Sequence, residues 1–269
     1  MGEGINEVPL LLPREAASPR HVARASSVWR LFQEAAVQAS SQQGWTPERY
    51  TAAGMGFVLA RMVAVHHDEL RYGLPLQART WVRGFKRRTI SEREIRLHTP
   101  DGLVASASQR WAHVSSALKV CSATPEFAAA FPIVDVPGSP PVSLPELAPA
   151  EGPEHAMALS CWYSWLDPFG HVNHPTYLEW CDEHTARLLA AAGVDPALLQ
   201  PVAEQIHYRS GVSGGDPIAV RTRLVGVGEG GRVVGLRHEI VHPETGAPYA
   251  RAQTIRRLAD GRELAGALS

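Results

Sequence analysis

Between Trp165 and Trp180 the chain reads Trp-Leu-Asp-Pro-Phe-Gly-His-Val-Asn-His-Pro-Thr-Tyr-Leu-Glu-Trp. A carboxylate, Asp167, ends an apolar, aromatic-rich segment. His171 follows four residues later and Asn173 two after that, just before Pro175 opens a helical pattern. This spacing aims an acid, an imidazole and the orphan N–H groups of a helix start at one small volume, which are the parts that chemistry on a carbonyl requires. Asp167 is the expected nucleophile or general base, held ionised by its place near a helix N-terminus. The backbone N–H groups of Gly170 and Val172 are the expected oxyanion donors. His171 would orient water or the carbonyl, or assist the leaving group. Asn173 would fix the turn and hydrogen-bond the site, and Gly170 would permit the turn before the helix.

Each residue also has a plainer role. Asp167 could be a loop carboxylate, His171 a turn histidine bonded to backbone, and Asn173 a helix cap. His171 and His174 form an H-x-x-H pair, but no second ligand cluster accompanies them, so no metal site is expected. His184 and His238 read as satisfied core residues. No cofactor motif is present, and none is expected.

The elements that must position this segment follow from periodicity. Tyr177, Trp180, Cys181, His184, Leu188 and Ala191 share one face of a helix over Pro175 to Ala192, closed by Gly193. Asn173 is expected at or near its N-cap, and Glu179, Asp182 and Glu183 point away from the apolar face. Downstream, Ile218–Val225 and Val234–Val241 alternate with period two, as strands of an antiparallel sheet covered on one side do. The first half repeats the theme. A helical segment from Trp29 to Gln43 precedes strands, and Gly73-Leu74-Pro75-Leu76-Gln77-Ala78-Arg79-Thr80 matches Gly215-Asp216-Pro217-Ile218-Ala219-Val220-Arg221-Thr222. Gly102 and Gly246 mark equivalent turns. Coincidence among short strands is the competing explanation. The pattern predicts an α+β fold: two tandem curved antiparallel sheets, each wrapped around a central helix. Between residues 122 and 155 lie eight prolines, which exclude a central strand or long helix. That stretch is a connector over the surface, with one helical turn near Glu126–Ala130. The expected organisation is an N-terminal tail (1–20), a first domain (21–121), the linker (122–156) and a second domain (157–269).

Bulk properties narrow the function classes. The 269 residues are 45% hydrophobic and carry a formal net charge of −1, which does not mark a nucleic-acid binder. No apolar run approaches the roughly 20 residues that span a membrane. The N-terminus lacks the basic start and long apolar core of a secretory signal, so a cytoplasmic location is expected. The three cysteines suit neither a disulfide frame nor a zinc site. Arg83, Lys86, Arg87, Arg88, Arg93 and Arg96 form a local basic cluster. It is either a solvated sheet face or a dock for an acidic carrier protein or the phosphates of coenzyme A.

The Asp167-x-x-Gly170-His171-Val172-Asn173 segment, followed by Tyr177-x-x-Trp180, resembles the active-site segment of hotdog-fold thioesterases. The acyl-acyl carrier protein thioesterases, which are double hotdogs, are the particular resemblance. Leu31–Ala36, Thr80-Trp81-Val82 and Ala107-Ser108-Gln109-Arg110-Trp111 resemble their first-domain segments. The resemblance spans roughly residues 20–120 and 157–258. It implies hydrolysis of acyl thioesters, carried by acyl carrier protein or coenzyme A, by a monomer or homodimer with one active site per chain. The first domain would then supply acyl pocket and scaffold, with Phe57, Val58, Leu59, Met62 and Trp81 as pocket candidates and Tyr177 as a substrate contact. Two positions depart from the plant members: Phe169 stands where they have Asn, and Ser210-Gly211-Val212 lacks the carboxylate they carry after Tyr-Arg. In this the local pattern is nearer to single-domain acyl-coenzyme A thioesterases of the 4-hydroxybenzoyl type. The alternatives are a hotdog hydratase or dehydratase, whose His falls five residues after its Asp rather than four, and a non-catalytic acyl binder.

Overall fold

The computed structural model describes residues 4–268. In chain order the elements are β1 (Ile5–Leu10), α1 (Ala25–Gln42), α2 (Pro47–Ala52), β2 (Met55–His66), β3 (Leu76–Lys86), β4 (Ile90–Thr99), β5 (Gly102–Ser115) and α3 (Pro125–Ala130). They continue with β6 (Ala148–Pro149), β7 (His155–Ser160), α4 (Pro175–Ala191), β8 (Leu199–Tyr208), β9 (Pro217–Gly228), β10 (Val233–Val241) and β11 (Pro248–Leu258). Contacts divide the chain into two units. One contains the residues up to Ala16 together with Val28–Ser143; the other contains Ala17–Ser27 together with Leu144 onward.

The two units repeat one topology. In the first, antiparallel strands lie in the order β1-β3-β4-β5-β2; in the second, β7 and β6 pair with β9, which continues through β10 and β11 to β8. Each repeat therefore runs strand, helix, strand and then a three-stranded meander, and the first strand pairs with the third. Gly73 and Gly215, matched in sequence, both take positive φ (87° and 85°) just before the third strand of their repeat. That backbone favours glycine, which explains the identity there. β-bulges at Leu59/Arg61 in the first unit and Gly235/Leu236 in the second bend their sheets.

Burial follows the periodicity. α1 hides Trp29, Phe32, Ala35 and Ala39 completely, and α4 hides Leu178, Cys181, Thr185 and Leu189 completely. α4 packs against β9 and β11. In its last turn, Leu189 meets Leu224, Leu236, Leu258 and Leu268 in one apolar cluster. Two histidines on this side of the sheet are neutral core residues. His184 Nδ1 and His238 Nδ1 share the Thr222 hydroxyl at 2.9 and 2.8 Å, and His238 Nε2 meets Thr254 Oγ1 at 2.9 Å. Burial drives His238 down to about 3. Arg256, 1% exposed, donates to Asp182 of α4 and to Glu204 of β8. Burial opposes its charge, but the two carboxylates more than offset that and raise its pKa.

Three expectations change. Residues 1–20 are not all tail, because Ile5–Leu10 is an edge strand on β3 that buries Val8 and Leu10. Asp182 does not simply face away from the core, since it is the partner of a buried guanidinium. The basic cluster does not form one face. Arg93 is buried and donates to Thr80, Arg96 is buried against Glu94, and Lys86 pairs with Glu92. Lys86, Arg87 and Arg88 are exposed, the last two in a tight β3–β4 turn with φ of 49° and 55°.

In the first unit α3 closes an aromatic cluster of Trp45, Tyr50, Phe57, Phe85, Phe127 and Phe131. His113 is completely buried in it, 4.5 Å from the Phe57 ring and 5.2 Å from Phe127. Neither ring nitrogen has a hydrogen-bond partner among the described residues, and burial lowers its pKa to about 4. A buried polar group without a partner costs roughly 1–3 kcal/mol. It also ties stability to pH. Between about 6.5 and about 4 the unfolded chain binds a proton that the folded chain refuses, so stability falls as pH falls through that window. His113→Phe is expected to raise urea stability at pH 7 by about 1–2 kcal/mol and to flatten the decline below pH 6.5, leaving the part due to His238. Lower stability with an unchanged pH slope would contradict this reading.

Candidate active site

The Asp167 segment is a tight loop between a short 3-10 turn, Tyr163–Trp165, and α4. Asp167 N–H donates to His171 O at 2.8 Å, Gly170 N–H to Asp167 O at 2.9 Å, and Asn173 N–H to Trp165 O at 2.8 Å. The Asp167 carboxylate accepts from Phe169 N–H at 2.8 Å, an Asx-type turn. Gly170 takes φ 76°, and a Cβ there would meet nothing within 4 Å. Its glycine serves the backbone conformation and not space.

Aromatic packing fixes the loop to the helix. Trp162 stacks on Trp165 with 5.1 Å between ring centroids and 7° between planes. Trp165 meets Trp180 of α4 at 5.4 Å, Trp180 meets Tyr177 at 4.9 Å, and Tyr177 meets Tyr208 of β8 at 5.2 Å. The polar tips of this ladder hold backbone. Tyr177 Oη accepts from Val212 N–H at 3.2 Å, and Tyr208 Oη donates to His174 O at 2.8 Å. Tyr177 is 2% exposed, so it positions the site from behind and is not a substrate contact as expected.

Two further expectations need correction. The N–H groups of Gly170 and Val172 are not free for an oxyanion: the first closes the turn onto Asp167 O, and the second donates to Val212 O at 2.9 Å. The N–H of His171 is engaged too, since it faces the Asp167 carboxylate and favours its charge. Asp167 is also not held low by the helix start. Burial raises its pKa above the ordinary aspartate value, and this outweighs the lowering by the N–H groups of Phe169 and His171 and by the His171 ring. The helix N-cap position is His174, directly after Asn173, and it makes no side-chain cap bond. Among the described residues the Asn173 amide makes no side-chain hydrogen bond, so it is available to a ligand.

Gly211 explains one departure noted in the sequence. The His171 ring lies directly on it: a Cβ at this position would fall 2.5 Å from His171 Cδ2 and 2.8 Å from Cγ. A carboxylate-bearing side chain at position 211 would compete for the space the imidazole fills. Phe57 and Trp81 are not brought together. Phe57 belongs to the aromatic cluster around α3, and Trp81 lies on the opposite side of its sheet under Arg96. Among the described residues no cluster of side chains could hold a metal ion.

At the corresponding place before its helix, where Arg20-His21-Val22-Ala23-Arg24 offers no acid, the first half carries a relative of the site. Ser18-Pro19-Arg20-His21-Val22-Ala23-Arg24, before α1, is a conformational copy of Asp167–Asn173. Ser18 N–H donates to Val22 O at 2.7 Å, and His21 N–H to Ser18 O at 2.9 Å. Arg20 N–H donates to Ser18 Oγ at 3.3 Å, and His21 takes φ 60° where Gly170 takes 76°. Ala17 bridges Ala23 as Leu166 bridges Val172. The shared Pro one residue after the turn-forming Ser or Asp could have revealed the alignment. Ser18 stands for Asp167, Val22 for His171 and Arg24 for Asn173, so the copy keeps the turn and lacks the chemistry.

Residues 161–265 match the family model described as the thioesterase-like superfamily. The resemblance read from the sequence holds there. Among curated proteins no sequence match is found. Solved structures extend the likeness to nearly the whole chain. A structure from Lactobacillus plantarum, described provisionally as an oleoyl thioesterase, superposes with a TM-score of 0.77 at 16% identity over 95% of this chain and 97% of its own. An acyl-ACP thioesterase from Bacteroides thetaiotaomicron gives 0.71 at 16% over 94% and 98%. The 12:0-ACP thioesterase of Umbellularia californica gives 0.71 at 14% over 94% of each chain. At such identities the likeness is one of fold: mostly antiparallel sheet with few helices, as in hotdog thioesterases.

Gly211→Ala tests the loop geometry. It is expected to displace the His171 ring and to lower kcat for thioester hydrolysis about 10- to 100-fold, with little change in the unfolding midpoint. Wild-type kcat in the folded variant would show that the ring position is immaterial.

Proposed function

We propose that this chain hydrolyses acyl thioesters, releasing the free acid and the carrier thiol, with acyl carrier protein as the preferred carrier and coenzyme A as the alternative. The observation that carries the reading is the Asp167–Asn173 loop itself. A half-buried carboxylate with a raised pKa, an imidazole seated on Gly211 and an unengaged Asn173 amide converge at the start of α4. The thioesterase-like match of the same segment supports it. The fold reading is a double hotdog, one per repeat, joined by the proline-rich linker of residues 122–156. The common strand order and the duplicated loop support that.

In the proposed chemistry the thioester carbonyl lies between Asp167 and the Asn173 amide. Asp167, ionised, either attacks the carbonyl carbon to give a mixed anhydride or takes a proton from an attacking water. The developing oxyanion is received by the Asn173 amide N–H. The tetrahedral adduct collapses with release of the thiolate, which needs no strong acid to leave; on the first route a water then cleaves the anhydride, freeing the acid and restoring the Asp167 carboxylate. The exposed Arg87-Arg88 turn supports a carrier rich in acidic residues, and it would suit the phosphates of coenzyme A as well.

A panel of acyl carrier protein and coenzyme A thioesters tests the activity. Asp167→Asn is expected to reduce kcat/KM about 10²- to 10⁴-fold. Asp167 must lose its proton to act, so wild-type kcat/KM is expected to fall with decreasing pH through a midpoint above the ordinary aspartate value. Hydrolysis of no thioester by folded wild type would favour an acyl binder. Undiminished turnover in the variant would remove Asp167 from the reaction.

A further inference from the structure

In the first unit the proline-rich segment crosses the face of the sheet that carries Arg79, Trp81, Arg96 and Ser106. It is tied there at three points. Val134 N–H donates to Val82 O at 2.9 Å, Arg96 Nη2 to Pro140 O at 3.1 Å, and Val142 N–H to Ser108 Oγ at 2.7 Å. Between the first and second ties Pro137-Gly138 makes a turn, with Gly138 at φ 75° and Ser139 N–H on Val136 O. The strap therefore stands off the sheet over a cleft of about 360 Å³. That volume lies at the small end of the roughly 300–1,000 Å³ range of small-molecule sites.

The cleft has two chemical parts. Ile5, Val65, Trp81, Leu103, Val136 and Val142 give it an apolar wall. Arg79 and Arg96 give it two guanidinium groups, His67 and His98 two imidazoles, and no carboxylate is among its lining residues. Arg96 is held over the Trp81 ring at 5.3 Å and is occupied by Glu94 and by carbonyls. Arg79 is different. Its partner is Glu7 on the edge strand, 3.7 Å away, both side chains are about half exposed, and its guanidinium makes no hydrogen bond among the described residues. The histidines report the local field. Burial first, and then neighbouring positive charge (His66 and Arg96 for His67, Arg79 for His98), lower both below the ordinary histidine value. The cleft thus sets a half-exposed guanidinium, held only by the 3.7 Å pair to Glu7, beside an apolar wall.

We propose that this cleft is a non-catalytic binding site for a single-chain amphiphile with an anionic head, carboxylate or phosphate. The head is held by Arg79, and the short apolar body lies along Trp81 beneath the strap. The site is distinct from the Asp167 loop and does not depend on the thioesterase reading.

Photoaffinity labelling of the full chain with a medium-chain carboxylic acid carrying an aliphatic diazirine at its chain end tests this. Label is expected in peptides containing Val136–Val142 or Leu103–Ser106. Excess octanoate or octyl phosphate is expected to suppress it, with the more potent competitor identifying the head, whereas octanol does not. Arg79→Gln is expected to lower labelling of these peptides at least fivefold with an unchanged unfolding midpoint, Leu103→Trp to do the same by filling the cleft, and Asp167→Ala to leave it as in wild type. Three results would each overturn the proposal: label confined to other peptides, suppression by octanol equal to that by octanoate, or wild-type labelling in both cleft variants.

Discussion

Arg256 of β11 reaches the side of α4, where its Nε and Nη2 both donate to Asp182 Oδ1 at 3.0 and 2.8 Å, while its Nη1 engages Glu204. With Arg256 and Glu204 almost wholly out of water, removing one partner would strand charge in the core, at a cost on the order of 3–5 kcal/mol. The group therefore fixes the rotation of α4 about its axis. That rotation decides where Tyr177 and Trp180 point. These two rings carry the loop: Trp180 supports Trp165, Tyr177 holds Val212 beside Gly211, and Gly211 seats His171. The placement of the candidate catalytic groups thus follows from a buried ion group about two helical turns into α4.

A constrained loop of this kind can be copied without its chemistry. The Ser18 loop has the same turn, the same bridge and nearly the same positive φ, yet Ser, Val and Arg replace Asp, His and Asn. Backbone hydrogen bonds within the turn are enough to specify the shape, and they leave the side chains free to diverge. A duplicated scaffold with one chemically competent loop is the simplest account of two repeats with the same strand order and different residues at equivalent points.

Much of this was legible in the sequence, for identifiable reasons. α4 shows a helical stripe from Tyr177 to Ala191, and β9 and β10 alternate cleanly because one face of each is buried. The repeat was visible at Gly73 and Gly215 because positive φ admits few other residues. β1 was not read because it is six residues long and contains Pro9, which an edge strand tolerates and a central strand does not. Asp182 was placed away from the core because a carboxylate on a helix flank gives no sign of an arginine 74 residues later. The oxyanion donors were misassigned because sequence shows which residues begin a turn and not which N–H groups the turn consumes. The direction of the Asp167 pKa was missed for a related reason, since burial is a property of packing around the loop.

The central claim is that chemistry resides in one of two conformationally equivalent loops. Its most direct test is a comparison of Asp167→Ala with Ser18→Ala, assayed side by side for steady-state hydrolysis of one acyl thioester. Loss of turnover by at least about 10²-fold in the first, with kcat within a factor of two of wild type in the second, is the predicted result. Comparable losses in both, or in neither, would contradict it.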